Sequence, residues 1–312
     1  MNACEPVTIK LEGGLGNQIF QIAAGYYLAA KLKTSLLIDQ YSIPITTAHG
    51  ESRCGFEEFQ NLILPGDSKV TILSDLPHQI NILLAKRYKL AKRILLKLRF
   101  EKDLKQYKSL FKESNNIGEC ENFFNIQEPV RLHGNFQSWK IVVEASKLGF
   151  PEILQLKTTP FWVLKMKEEI DFRNSVALHF RVGDDTVANL NFKQPSIGYY
   201  LEALNVLKKF DYHSQIYVLS DDISRVKNLY GHKLPKETHF LEMPIEATPA
   251  ERLYVLSLFG SIVCANSTFC GWAAWSIYNS GGKVVVPIPY SDGATLGSRD
   301  FPNSWIQIDK YL

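Results

Sequence analysis

Short apolar runs alternate with longer stretches of helical period through the second half of the chain. The spacing predicts a strand over residues 175–181, then a helix from Ile197 to Phe210 after the start signal Pro195-Ser196. Strand Gln215–Ser220, a short helix from Ile223 and strand His239–Glu242 follow. A helix over residues 249–259 opens at Thr248-Pro249 with Glu251 behind it. Strand Ser261–Ala265, a helix over 268–279 and strand Lys283–Pro287 complete the set. Strands separated by helices at intervals of about 25 residues imply a parallel, doubly wound sheet.

The first half opens in the same way. Val7 to Leu11 reads as a strand, Gly13-Gly-Leu-Gly-Asn-Gln18 as a glycine-rich turn, Ile19 to Lys33 as a helix and Ser35 to Asp39 as a second strand. Such a turn can present backbone N–H groups to an anion at a helix N-terminus. A dinucleotide fingerprint would want a third glycine for close packing, and Ile19 stands there. Between Gln40 and Pro77, Pro44, Gly50, Gly55, Pro65 and Gly66 break the pattern into loops with room for one short helix; His49 lies among them. Residues 78–113 look helical, with apolar positions 83, 84, 90, 94, 95 and 98 on one face. Val130 to Lys140 reads as a strand that ends in a polar, aromatic turn and closes the first sheet. A hinge is expected between Leu148 and Pro160. The expected architecture is α/β: two Rossmann-like domains, residues 1–155 and 156–312, facing each other across a cleft.

Composition narrows the classes. The chain has 312 residues, 46% hydrophobic and 21% charged, as a soluble globular protein does. The net charge of +3 is uneven: residues 86–112 hold eleven Lys/Arg and two acids, a local +9, which leaves −6 elsewhere. The basic helix over 83–99 offers either a solvated face or a peripheral contact with anionic lipid. No groove-reading or aromatic motif accompanies the charge, which argues against nucleic acid. Five scattered cysteines without a CxxC pair argue against a disulfide framework and a zinc site. There is no leader-like N-terminus and no run of 18 apolar residues, so a cytoplasmic protein, at most peripheral at the membrane's inner face, is expected.

The chemistry gathers in three loops at the carboxyl edge of the second sheet, where open α/β sheets bind ligands. The first follows Val176-Ala-Leu and carries His179, Arg181, Asp184 and Asp185. Arginine offers phosphate oxygens a two-point fork. The second is Ser220-Asp221-Asp222, whose acids suit a base or ribose and equally suit the cap of the next helix. The third is Asn266-Ser-Thr-Phe-Cys-Gly-Trp272, where Ser267 is a good N-cap and the helix end a ready phosphate site.

HxRxG after one strand, SDD after the next and ANSTF with GWAAW later resemble the bacterial α-1,2-fucosyltransferases, relatives of the α-1,6 and protein O-fucosyltransferases. GGLGNQIFQIAAGYYLA resembles the family's opening motif and HGNFQSWK its mid-chain segment. The family's usual form is HxRRxD; this chain has Val182 in place of the second arginine. The resemblance implies a two-domain, GT-B-type transferase that binds GDP-β-L-fucose in the C-terminal half and most of a β-galactoside oligosaccharide acceptor in the N-terminal half. On it, Arg181 would hold the pyrophosphate, with His179, Ser220, Asp221 and Asp222 near the nucleoside. Asn266, Ser267, Thr268 and Phe269 would lie near the phosphates, and Gly14, Gly16, Asn17 and Gln18 would border the donor.

Positive potential from Arg181 and the helix end would steady the departing GDP, so no metal and no further cofactor is expected. A β-linked donor giving an α-linked product means inversion, and Asp184, Asp185 and Asp39 are candidates for the base. Two other classes remain open: a non-catalytic nucleotide-sugar or membrane-surface module, and a nicotinamide-dependent oxidoreductase.

Overall fold

The computed structural model describes residues 5–39, 61–63, 70–73, 110–113, 122–183, 193–210, 215–290 and 301–312. The basic helix expected over 83–99, His49, Asp184, Asp185 and three of the cysteines lie outside them. The chain divides into two compact units, Met1–Glu58 with Leu64–Pro151 and Phe59–Ile63 with Glu152–Leu312. The short piece at 61–63 joins the second unit through an antiparallel bridge between Leu62 and Leu156.

Unit 1 is built on a parallel sheet of five strands. β1 (Val7–Lys10) leads into helix α1 (Leu15–Lys31) and β2 (Leu36–Asp39), followed by β3 (Val70–Leu73), β4 (Leu110–Lys112) and β5 (Arg131–His133). The order is β3-β2-β1-β5-β4. Helix α2 (Trp139–Lys147) packs on α1, with Phe20 and Trp139 edge to face at 4.9 Å. The glycine-rich segment is less of a loop than its composition suggests. α1 starts at Leu15 rather than Ile19, with Gly14 as its N-cap, so Gly16, Asn17 and Gln18 are its first turn. Only Gly13 has a left-handed backbone, φ 75°. The close helix–sheet approach is made at Gly25, where a Cβ would meet Leu36 Cδ1 at 2.7 Å and Ile9 Cβ at 3.3 Å.

Three other expectations for unit 1 give way. Residues 110–112 are a strand paired with β5, not the end of a helix. Residues 70–73, read as loop, are a strand beside β2. The segment from Val130 does not close the sheet: β5 lies inside it, between β1 and β4. In each case pairing with distant residues overrides local propensity.

Unit 2 carries helix α3 (Phe161–Glu169) and then a strictly alternating series. It runs β6 (Ser175–Phe180), α4 (Ile197–Lys208), β7 (Gln215–Ser220), α5 (Ile223–Tyr230) and β8 (Thr238–Phe240). α6 (Pro249–Leu256), β9 (Ser261–Val263), α7 (Thr268–Asn279), β10 (Lys283–Ile288) and β11 (Ile306–Asp309) follow. The strands are all parallel in the order β11-β10-β9-β6-β7-β8. Counted from β6 this is 3-2-1-4-5-6, the doubly wound dinucleotide-fold order, with its switch point between β6 and β9. Alternation along β6 sends Val176, Leu178, Phe180 and Val182 into the core with Tyr199, Tyr200 and Leu204 of α4. α6 opens with a full capping box between Thr248 and Glu251, and Arg252 turns back to the carbonyls of Pro244 and Ala247.

Candidate functional site

The residues between the even positions of β6 carry the chemistry. His179 and Arg181 share the face opposite the core set, at the carboxyl edge beside the switch point. Tyr200 donates to the His179 carbonyl at 2.9 Å and fixes the strand end. His179 is buried, 7% exposed, and its ring lies 6.1 Å from the Phe269 ring in the first turn of α7. Its Nδ1 has no hydrogen-bond partner among the described residues. Asn266, 5% exposed, gives its amide N–H to the Lys193 carbonyl at 3.0 Å, yet its Oδ1 is likewise unpartnered among them. Ser267 caps α7, accepting from the Phe269 N–H at 3.3 Å, and Thr268 is the first helical residue.

Buried polar atoms normally find partners. Two that have none among the described residues, one on β6 and one just past β9, both beside a capped helix N-terminus, mark a place prepared for a polar ligand. Arg181 adds the charge. Among the described residues its guanidinium forms no hydrogen bond or ion pair. Its positive charge reaches Tyr290, just past β10, whose phenol is pushed well above its ordinary range by burial against a smaller opposite pull from Arg181. Tyr290 belongs to this cluster and has no sequence signal beyond its place after the apolar strand 283–288.

The Ser220-Asp221-Asp222 loop is engaged with backbone. Asp221 accepts from the N–H groups of Val182 at 2.9 Å and Gly183 at 3.2 Å, the two residues that follow Arg181. Gly183 permits this approach, since a Cβ there would stand 2.7 Å from Asp221 Oδ2. Ser220 Oγ donates to Asp221 at 3.1 Å, and Asp222 caps α5 by accepting from the Arg225 N–H at 2.9 Å. Cys264 and Cys270 are free and buried behind the loop of the third motif. The Cys270 Sγ lies 3.1 Å from the Ser267 carbonyl oxygen.

The glycine-segment residues gather at the switch point of the other sheet, between β1 and β5. Gln18 gives its amide N–H to the Gly13 carbonyl at 2.8 Å, and its buried Oε1 has no partner among the described residues. Asn17 Oδ1 accepts from Gln137 at 3.1 Å. Gln21 ties the two loops, donating to the carbonyls of Glu12 at 3.2 Å and Gly134 at 3.1 Å. Asp39 is the last residue of β2, in register with Lys10. Sequence reading missed a charged trio here. The Glu12 carboxylate pairs with Lys10 and lies 3.3 Å from His133 Nε2. The His133 hydrogen bond, with Lys10 behind it, holds the Glu12 carboxyl down at about 2 although partial burial opposes this.

Comparison with known proteins places similarity along nearly the whole chain. Alpha-1,2-colitosyltransferase of Escherichia coli is 26% identical over 309 residues, covering 97% of this chain and 99% of that protein. The O-antigen biosynthesis glycosyltransferase WbnK of Escherichia coli is 25% identical over 314 residues, covering 96% and 99%. Both relatives are glycosyltransferases. No family model matches. Among solved structures, the fucosyltransferase NodZ from Bradyrhizobium superposes with a TM-score of 0.46 at 11% identity, covering 86% of this chain and 93% of that one, a likeness too slight to carry any argument. Among the described residues no helix is long and apolar enough to cross a membrane.

Proposed function

We propose that this chain is an inverting glycosyltransferase that moves L-fucose from GDP-β-L-fucose to a galactoside hydroxyl of an oligosaccharide, forming an α-1,2 linkage. Full-length similarity to two glycosyltransferases supports sugar transfer as the reaction class. The observation that carries the donor site is the Arg181 guanidinium at the switch point, unpaired among the described residues, beside the buried His179 Nδ1 and Asn266 Oδ1, which have no partner among them either.

In this reading Arg181 and the N–H groups of α7 receive the negative charge that develops on the diphosphate as the sugar–oxygen bond lengthens. One donor of this kind is worth roughly 3–4 kcal/mol of barrier. His179 and Asn266 offer a donor and an acceptor to the nucleotide or sugar. Asp221 holds the backbone that aims Arg181, and Ser220 and Asp222 keep lone pairs for the nucleoside. Charge neutralisation by side chain and helix end makes a metal unnecessary.

The colitosyl relative favours a second donor. Colitose is L-fucose without its 3-hydroxyl, so a pocket that recognises the shared ring and methyl group could accept either sugar. The test supplies GDP-L-fucose or GDP-colitose, in EDTA, with lactose and galactosyl-N-acetylhexosamines as acceptors, and determines product linkage by NMR. Transfer from GDP-L-fucose to the galactose 2-hydroxyl is expected. Strong preference for GDP-colitose would reassign the donor sugar. Absence of both transfer and GDP binding would overturn the proposal.

A further inference from the structure

Lys310 follows β11 at the carboxyl edge of the unit 2 sheet, and at 0% exposure it is the only fully buried lysine among the described residues. A buried ammonium is costlier than an apolar side chain of the same size, so its hydrogen bonds have to be accounted for. They tie Lys310 to separate pieces of the edge. Its backbone N–H donates to the Ile288 carbonyl at the end of β10 at 2.9 Å. Its carbonyl accepts from the N–H of Ser196, the N-cap of α4, at 2.8 Å. Its Nζ donates to the Lys193 carbonyl at 3.3 Å. The two backbone bonds survive a change of side chain at 310; the bond to Lys193 belongs to the ammonium.

The Lys193 carbonyl is shared. Asn266 gives it an amide N–H at 3.0 Å, and a carbonyl oxygen has lone pairs for both donors. The same bond decides which way Asn266 faces. A side-chain amide carries a donor and an acceptor on one planar group. With Nδ2 engaged on Lys193, Oδ1 is turned to the other side, buried and without a partner among the described residues. Asn266 stands just past β9 and next to Ser267, the N-cap of α7. A ligand at the switch point therefore meets an acceptor here and not a donor. Lys193 lies in the irregular stretch ahead of α4, and the ammonium ties its carbonyl to the end of β11. Were that carbonyl to shift, the amide could turn over and exchange its acceptor for its donor.

We propose that Lys310 is a positioning residue of the donor site: through the Lys193 carbonyl its ammonium holds Asn266 with Oδ1 presented to an O–H or N–H group of the bound nucleotide sugar. The assignment rests on the donor-site reading and deepens it, because it makes the ligand group at this point a hydrogen-bond donor. Lys310 acts through Asn266 and does not itself touch the ligand. Every residue in the chain of contacts belongs to unit 2.

The test measures the affinity for GDP and for GDP-L-fucose by calorimetry, together with the thermal midpoint, for wild type, Lys310→Met, Asn266→Ala and the double variant. Methionine fills a comparable space without the charge, and the backbone bonds of residue 310 remain, so Lys310→Met should keep a cooperative melt close to that of wild type. Each single variant is expected to lose about tenfold in affinity, the worth of one hydrogen bond to the ligand. The double variant is expected to lose no more than either alone, because the lysine acts only through the asparagine. A loss with both ligands places the donor group on the nucleotide, and a loss with GDP-L-fucose alone places it on the sugar; either supports the assignment. Should Lys310→Met not fold, Lys310→Gln, which is polar but too short to reach Lys193, takes its place in the same cycle. Wild-type affinity in either single variant, or losses that add in the double variant as a merely structural role would make them, would overturn the assignment and leave the donor site standing. A wild type that binds neither ligand would overturn both.

Discussion

Asp221 shows what a single carboxylate does to a site without touching the ligand. It takes the N–H groups of Val182 and Gly183 and so sets the path of the chain just beyond Arg181. Asp221→Ala leaves the partly buried Val182 N–H without its acceptor and frees the exposed Gly183 N–H to water, a loss of about 1–3 kcal/mol. The expected outcome is a fall of that size in denaturant stability and a fall of about tenfold in GDP affinity by calorimetry. A second residue-scale prediction concerns acid. Glu12 titrates near 2 in the folded protein against an ordinary 4.5, so its stabilising contribution is complete above pH 4.5 and is lost as pH falls towards 2. Glu12→Gln should flatten the pH dependence of the melting temperature within that window and leave it unchanged above pH 5. The acids of Ser220-Asp221-Asp222 were legible as polar groups at a strand end, and the capping role open to them is the one Asp222 takes, whereas the hold of Asp221 on backbone was not legible. The N–H groups that Asp221 binds belong to the residues just past β6, and the pairing of β6 with β7 brings them there. Glu12 and His133 were invisible for the same reason.

Among the elements, helix ends and close contacts decide the geometry. α7 starts where the sequence placed it, because Ser267 is a capping residue followed by an apolar helical run. α1 starts earlier than expected, because glycine was read as a breaker although the first turn tolerates it. The contact that fixes α1 on the sheet is Gly25, invisible to a fingerprint that looks for glycine only within the turn. Gly25→Ala would press a methyl group on Leu36 and Ile9. Overpacking of this kind costs typically 1–3 kcal/mol, so the variant should melt lower while GDP affinity stays at the wild-type value. Val182, which stands where the resembling family has a second arginine, is 5% exposed within the core facing α4. Val182→Arg would bury an unpaired charge. It should destabilise the protein severely, read as loss of cooperative melting, rather than supply a second phosphate ligand.

At the scale of the whole molecule, each unit is a parallel sheet with its own switch point, and each switch point gathers polar groups that its core does not use. The alternation of strands and helices in unit 2 was legible from period between β6 and β10, as β6, β9 and most of β10 are buried and read as apolar runs, whereas the half-exposed β11 and helix α3 were not read from the sequence. Unit 1 was less so, because β3 and β4 are short and owe their conformation to pairing with β2 and β5. The account's central claim is that the unit 2 switch point, through Arg181, holds and activates a GDP-sugar. The most direct test measures GDP release from GDP-L-fucose in EDTA, with and without β-galactoside, for wild type and Arg181→Ala. The account predicts acceptor-dependent release by wild type and a loss of about 10²–10³-fold in a folded Arg181→Ala protein. Undiminished release by Arg181→Ala, or a wild type that neither releases nor binds GDP, would contradict it.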